Sequence, residues 1–75
     1  MYRAHVEATM LDDETAEFLS TDQSWLEAQW PDCRAQAINA GKTVNGNPSF
    51  VKYTKLNTTP DGNLYDFEFD VPTTN

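Results

Sequence analysis

The sequence predicts a small α+β domain in which an antiparallel sheet packs one or two helices on one face, in the order β-α-(α)-β-β. Three observations lead to this fold: an alternating N-terminal segment, a central segment rich in helix-capping residues, and a turn sequence between two alternating C-terminal segments. The sheet would have three strands, or four if residues 42–44 form a short strand before the Asn-Gly that follows. Residues 1–75 leave room for a single domain, and residues 72–75 are predicted to be a frayed tail.

The first element is a strand over residues 2–10. Apolar side chains occupy alternate positions, so they should face a core, while the polar residues between them face solvent. The apolar set is Tyr2, Ala4, Val6, Ala8 and Met10.

Residues 11–23 have two interpretations. Asp12 or Asp13 can cap a short helix, because a carboxylate at this position accepts hydrogen bonds from the first free backbone N–H groups. Alternatively, the chain turns at residues 12–15 and enters a strand over residues 16–20. The helix is the preferred interpretation. One face of it would contain Leu11, Thr15, Phe18 and Leu19.

A further helix is predicted to begin at Ser24, which forms a capping box with Glu27. Pro31 either kinks this helix or occupies the first turn of another, and Gly41 is a suitable stop. Two tryptophans, five residues apart, fall on different helical faces, so either one is exposed or a kink at Pro31 buries both. The buried stripe after Pro31 would contain the stem of Arg34, Ala37, Ile38 and Gly41, with Cys33 beside it.

The C-terminal segment is predicted to be a β-hairpin. The Thr-Pro-Asp-Gly sequence at residues 59–62 fits a three-residue loop that ends in a left-handed glycine. This loop would set Tyr53 opposite Phe69 on an apolar face, and Lys52 opposite Asp70 on the outer face. The outer face would carry a row of carboxylates at alternate positions, which we call the acidic row: Asp66, Glu68 and Asp70.

The charge distribution restricts the class of partner. The net charge is −7, and no Lys or Arg occurs between Arg3 and Arg34. Such a chain is repelled by phosphate, so direct binding to nucleic acid or to an anionic membrane is not expected, whereas a basic protein surface would attract it. The acidic residues of this interval are Glu7, Asp12, Asp13, Glu14, Glu17, Asp22, Glu27 and Asp32.

The residue types that carry chemistry predict no enzyme, no cofactor and no metal site. Side chains of the acidic row would be about 7 Å apart along the strand, too far to chelate one ion closely. His5, the single histidine, is expected on the surface, and Cys33, the single cysteine, is expected in the interior. A catalytic Cys–His pair is arithmetically possible, although nothing in the spacing supports one.

The same residues bear on location. A single cysteine cannot form an internal disulfide, no apolar run follows Met1, and no segment is long and apolar enough to span a membrane. The expected location is therefore cytoplasmic.

In size, acidity and lack of catalytic residues, the chain is similar to many phage-encoded inhibitors, including anti-CRISPR and anti-restriction proteins. The likeness is one of composition and covers no motif. It implies a non-enzymatic inhibitor or adaptor, a monomer or homodimer, that offers carboxylates to a basic, nucleic-acid-binding protein surface in the host cytoplasm. The predicted partner-binding residues are Asp66, Glu68, Asp70, Asp12, Asp13, Glu14, Glu17 and Trp30.

The alternative hypothesis is an assembly subunit that oligomerises through a sheet edge or exposed aromatic side chains. It depends on apolar side chains on the otherwise polar outer face of the hairpin, together with one uncommitted tryptophan. These apolar side chains are Phe50, Leu56 and Leu64.

Overall fold

A computed structural model describes residues 1–74 and confirms the α+β class. The elements are β1 (Tyr2–Met10), α1 (Asp13–Leu19), α2 (Gln23–Ala28), α3 (Trp30–Asn39), β2 (Ser49–Thr59) and β3 (Gly62–Val71). The strands form one antiparallel sheet in the order β1-β3-β2, so the last strand of the chain lies in the centre. Within the described residues, Val44 makes only an isolated bridge to Thr73, and the optional fourth strand is not formed.

The core lies between one face of this sheet and the three helices. Alternate side chains of β3 are almost inaccessible to solvent, because this strand is flanked on both sides and covered by the helical layer. Phe67 is at the centre, with ring centroids 4.8 Å from Trp25, 5.7 Å from Tyr53 and 5.9 Å from Phe50. The period-two alternation predicted for β1 is confirmed, since Ala4 and Val6 are buried against the same layer.

Side-chain caps determine where the first two helices begin. Asp12 caps α1 by accepting a hydrogen bond from the Thr15 backbone N–H at 2.9 Å, which confirms the helical interpretation. The predicted cap of α2 was wrong by two residues, because the cap is Asp22 rather than Ser24. The Asp22 carboxylate accepts hydrogen bonds from the N–H groups of Ser24 and Trp25 at 3.1 and 3.4 Å. A carboxylate at this position also interacts more favourably with the positive N-terminal end of the helix dipole than a neutral hydroxyl does.

The third helix begins and ends on the residues the sequence indicates. Pro31 lies in its first turn, where a missing N–H loses no helical hydrogen bond. Gly41 follows its end at φ +83°, and the N–H of Lys42 donates to the Ala37 carbonyl at 3.0 Å, the closing bond of a Schellman motif. The predicted burial of Ile38 was wrong. Cys33 and Ala37, four residues apart, define the buried face, and the next residue points about 100° away from it.

The C-terminal hairpin is confirmed, but its predicted turn was wrong. The loop contains only Pro60 and Asp61. Thr59 pairs with Gly62, whereas a three-residue loop would have placed it opposite Asn63. The Thr59 hydroxyl donates a hydrogen bond to the Gly62 carbonyl at 2.6 Å, which closes the shorter loop.

Bulges in β2 shift the register further along the hairpin. Register shifts fall at Val51 and at Leu56, and each extra residue reverses the face of the side chains beyond it. Tyr53 therefore lies opposite Phe67 rather than Phe69. The same displacement turns Phe50 onto the helical side, where the sequence had placed it on the outer face.

The predicted frayed tail is paired over residues 72–74. The Pro72 carbonyl accepts a hydrogen bond from the Asn45 N–H at 3.0 Å, and the Thr74 N–H donates to the Thr43 carbonyl at 3.0 Å. The loop after α3 returns alongside these residues and supplies partners that the local sequence does not indicate. Asn75 lies outside the described residues.

Candidate partner-binding surface

The acidic row runs along the midline of the open sheet face, which is the face opposite the helices. Its members alternate along β3 with the buried aromatic side chains, as the period of a strand requires. Because β3 is the central strand, side chains of β1 and β2 flank the row on both sides. The residues of the row are Asp66, Glu68 and Asp70.

Two cations from the flanking strands neutralise most of the row. The Arg3 Nε donates to Asp70 Oδ1 at 2.7 Å, and its Nη1 donates to Glu68 Oε1 at 2.9 Å. Lys52 Nζ lies 3.8 Å from Glu68 Oε2, so its pairing with Asp70 expected from the sequence was wrong. The reason is the register shift, which places Lys52 opposite Glu68.

The third carboxylate of the row is held by a histidine. His5 Nδ1 lies 2.8 Å from Asp66 Oδ2, and Asp66 Oδ1 is buried without a hydrogen-bond partner in the described chain. All three carboxylates of the row thus have a partner within the sheet, and two of them, Glu68 and Asp70, are paired with the positive charges of Arg3 and Lys52.

The ion pairs of Glu68 set how its stability contribution depends on pH. Hydrogen bonding to Arg3, helped by the charge of Lys52, lowers the pKa of the Glu68 carboxyl below its ordinary value of 4.5. A carboxyl whose pKa is lower in the folded state stabilises the protein above the unfolded pKa. That contribution is lost as pH falls below about 4.5 and through the folded pKa.

We expect Glu68→Gln to lower the melting temperature by a few degrees at neutral pH and to weaken the loss of stability on acidification. The glutamine amide has one acceptor oxygen and no charge, so Arg3 and Lys52 would both lose the negative charge and one of them would also lose its acceptor. Glu7→Gln is the matched control, since Glu7 is an exposed carboxylate on the same face with no ion pair in residues 1–74. Thermal unfolding of both variants at neutral and acidic pH measures the effect, and equal melting temperatures would contradict the ion-pair geometry.

On the helical side, the first two acidic residues of the predicted site serve the fold. Asp12 accepts from both the N–H and the hydroxyl of Thr15, and these hydrogen bonds lower its pKa. Asp13 accepts a hydrogen bond from the Tyr65 hydroxyl and lies 3.1 Å from Lys55 Nζ, and both contacts lower the pKa of Asp13. Burial, reinforced by Asp13, raises the pKa of Tyr65. Asp13 therefore ties α1 to β2 and β3.

The remaining carboxylates of the helical side are exposed and form no ion pair within residues 1–74. We call this set the helical acidic surface, and it consists of Glu14, Glu17, Glu27 and Asp32. The chain supplies no Lys or Arg between residues 4 and 33 to balance it. Glu27 alone has a fixed neighbour, since Gln23 Nε2 donates to its carboxylate at 2.7 Å.

An exposed aromatic side chain lies within this surface. Phe18 is 64% exposed and lies four residues after Glu14 on α1, so the two side chains are neighbours on the helix surface. The predicted face of α1 was wrong, because Ala16 and Leu19 face the core while Leu11 and Phe18 are exposed.

Both tryptophans are half-buried, so neither of the two sequence alternatives holds in full. Trp25 packs on Phe67, whereas Trp30 lines an open groove of about 340 Å³ between the helical segment and the start of β2. Side chains lining the groove include Ser20, Thr21, Gln23, Leu26, Trp30 and Phe50.

The residues considered for catalysis lie on opposite sides of the sheet. His5 is on the open face, while Cys33 is buried under α3, where desolvation raises the pKa of its thiol to about 11. A Cys–His pair is therefore not formed. Over residues 1–74, no group of three or more His, Cys, Asp or Glu side chains is arranged to hold a metal ion.

Comparison with known proteins finds no family model that matches the chain, and no curated protein or solved structure with significant similarity to it. None of the helices in the described part of the chain has the length and apolar composition needed to cross a membrane.

Proposed function

We propose that the chain is a non-enzymatic binding protein, an inhibitor or adaptor of the anti-CRISPR or anti-restriction type, that docks on a basic, nucleic-acid-binding protein surface in the cytoplasm. The observation that carries this proposal is the difference between the two acidic groups. In the acidic row, Glu68 and Asp70 are paired with Arg3 and Lys52, and Asp66 contacts His5, whereas the carboxylates of the helical acidic surface form no ion pair within residues 1–74. The helical side is therefore the docking side.

The physical basis is electrostatic attraction around an apolar anchor. Unpaired carboxylates attract a basic partner over about a Debye length, some 8–10 Å at ordinary salt, and accelerate its association. Phe18 offers an aromatic side chain among these charges, and buried aromatic residues commonly supply most of the energy of an interface. Lys and Arg side chains that normally hold nucleic-acid phosphates would be occupied by the carboxylates.

The test compares two variants of identical net charge. The first, Glu14→Gln with Glu17→Gln, removes two carboxylates beside Phe18. The control, Glu7→Gln with Asp61→Asn, removes two exposed carboxylates that lie outside the helical side and form no ion pair in the described chain.

Each protein is immobilised and exposed to a host lysate at low and high salt, and the retained proteins are identified by mass. We expect the parent and the control to retain basic, nucleic-acid-binding proteins at low salt and to release them at high salt. The helical variant should bind about tenfold more weakly, equivalent to about 1.4 kcal/mol. Equal retention by the two variants, or no basic partner at low salt, would count against the proposal.

The assembly hypothesis has one observation in its favour, the exposed edge of β2 with Val51 and Leu56 partly accessible. The two bulges and the lysines of this strand are features that discourage edge-to-edge pairing. The packing of Phe50 on Phe67 also removes one of the apolar side chains that motivated the hypothesis. Light scattering discriminates, since a strict monomer at high concentration would count against assembly.

A further inference from the structure

The groove beside Trp30 has an apolar floor and one aromatic wall. Leu26 and Trp30 are four residues apart along the helical segment, and Phe50 closes the groove from the start of β2. The indole N–H of Trp30 makes no hydrogen bond to any other described residue. The Trp30 indole ring therefore offers the groove both its aromatic face and an N–H group that is not used within the described chain.

The polar groups at the rim are mainly acceptors. The Ser20 hydroxyl donates to the Glu17 carbonyl at 2.6 Å, and the Thr21 hydroxyl donates to the Phe18 carbonyl at 2.9 Å. With their protons used in this way, both hydroxyl oxygens present lone pairs. They also lie at the C-terminal end of α1, where the helix dipole favours a positive charge.

A carboxylate is held beside the same rim. Gln23 lines the groove, and its Nε2 donates to the Glu27 carboxylate at 2.7 Å. Glu27 follows Leu26 directly and is exposed without an ion pair in residues 1–74. Glu27 does not itself line the groove, but its carboxylate contacts Gln23, which does, so a cation bound beside Gln23 would lie near one negative charge.

We propose that the groove receives an arginine side chain of the basic partner, an inference that rests on the proposed function and names the contact it uses. The methylene stem would lie on Leu26 and Phe50, and the guanidinium plane would stack on the Trp30 indole while donating toward Glu27. Arginine fits better than lysine, because its planar, weakly hydrated head stacks on aromatic rings and carries several donors in a fixed plane.

The probe is a blocked tripeptide, acetyl-Gly-Arg-Gly-amide, titrated into the ¹⁵N-labelled protein at constant ionic strength. The indole N–H signals of Trp25 and Trp30 are followed by NMR after sequential assignment, with Trp25 serving as the internal control because it packs on Phe67. The matching citrulline peptide keeps the shape of arginine and removes its charge. The matching lysine peptide keeps the positive charge and replaces the planar guanidinium group with an ammonium group.

We expect the Trp30 indole signal to shift in a saturable manner while the Trp25 signal stays in place. The citrulline peptide should bind at least about fivefold more weakly and the lysine peptide about threefold more weakly. Glu27→Gln, which retains a partner for Gln23, should weaken binding about threefold, whereas Glu7→Gln, with the same change in charge on the open sheet face, should leave it unchanged.

Equal shifts with the arginine and citrulline peptides, or an equal effect of the two variants, would overturn the assignment. The outcome is separable from the proposed function. If basic proteins are captured through the helical acidic surface but the Trp30 signal does not respond to the peptide, the groove assignment fails and the proposed function stands. If the peptide binds at Trp30 and no basic protein is captured, the assignment holds and the proposed function fails.

Discussion

Phe67→Ala should lower the free energy of unfolding by about 3–5 kcal/mol, the range found for truncation of a fully buried aromatic residue. Phe67 is inaccessible to solvent and lies on the central strand, in contact with the rings of Trp25, Tyr53 and Phe50. Small domains are marginally stable, with total stabilities at the low end of about 5–15 kcal/mol. The variant is therefore expected to be largely unfolded near body temperature.

Phe18→Ala is the control within the same residue type. Because Phe18 is 64% exposed, its truncation should change the free energy of unfolding by no more than about 0.5 kcal/mol. Urea denaturation of both variants at neutral pH provides the comparison, and similar midpoints would show that the two phenylalanines are not packed as described. The proposed function adds a second readout, since Phe18→Ala should weaken partner binding while the fold is retained.

The elements that the sequence predicted correctly are those with local causes. The alternation of β1 is a property of nine consecutive residues, and the Asp12 cap acts on a backbone N–H only three residues away. The Gly41 stop is equally local, because a left-handed residue after the helix suits glycine above other residues. Such signals need no knowledge of what packs against the segment.

The hairpin register could not be obtained in this way. Tyr53 and Phe50 are three residues apart, a spacing that an unbroken strand would place on opposite faces, yet both pack on Phe67. The bulge at Val51 reconciles them, and it is favoured by tertiary packing of both rings under the helices. A register obtained by counting residues outward from Gly62 cannot reveal this bulge.

The candidate site shows the same division between local and distant causes. The outward placement of the acidic row followed from strand periodicity, but its neutralisation depends on Arg3, which lies 65 residues from Glu68 and 67 from Asp70 in sequence. The pairing of β1 with β3 brings these residues together, and no local pattern near either strand indicates it. Including the acidic row among the predicted partner-binding residues assumed that its carboxylates had no partners within the fold.

The distribution of the few basic residues then explains why the two sides of the protein differ. Arg3, Lys52 and Lys55 all come from the sheet, and all are engaged with carboxylates of β3 or with Asp13. The helical segment carries one basic residue, Arg34, which forms no ion pair within residues 1–74. The exposed carboxylates of the helical side are therefore left without ion pairs, unlike Glu68 and Asp70 on the sheet.

Gly62→Ala should destabilise the hairpin turn, lowering the free energy of unfolding by about 2–4 kcal/mol. Gly62 has φ +143°, a conformation that side-chain-bearing residues rarely adopt. A Cβ there would also lie 2.8 Å from the Met10 carbonyl oxygen and 3.2 Å from Thr9 Cγ2, so the end of β1 would have to move.

Gly41→Ala separates these two causes. Gly41 also has a positive φ, +83°, but nothing lies within 4 Å of a Cβ built on it, so only the backbone cost of about 1 kcal/mol applies. Urea denaturation of the two variants measures the difference, which contains the steric contact with β1 and the higher backbone cost of φ +143° relative to φ +83°. If Gly62→Ala costs no more than Gly41→Ala, β1 does not reach the turn in solution. The pairing of β1 with β3, which brings Arg3 to the acidic row, would then end before Met10.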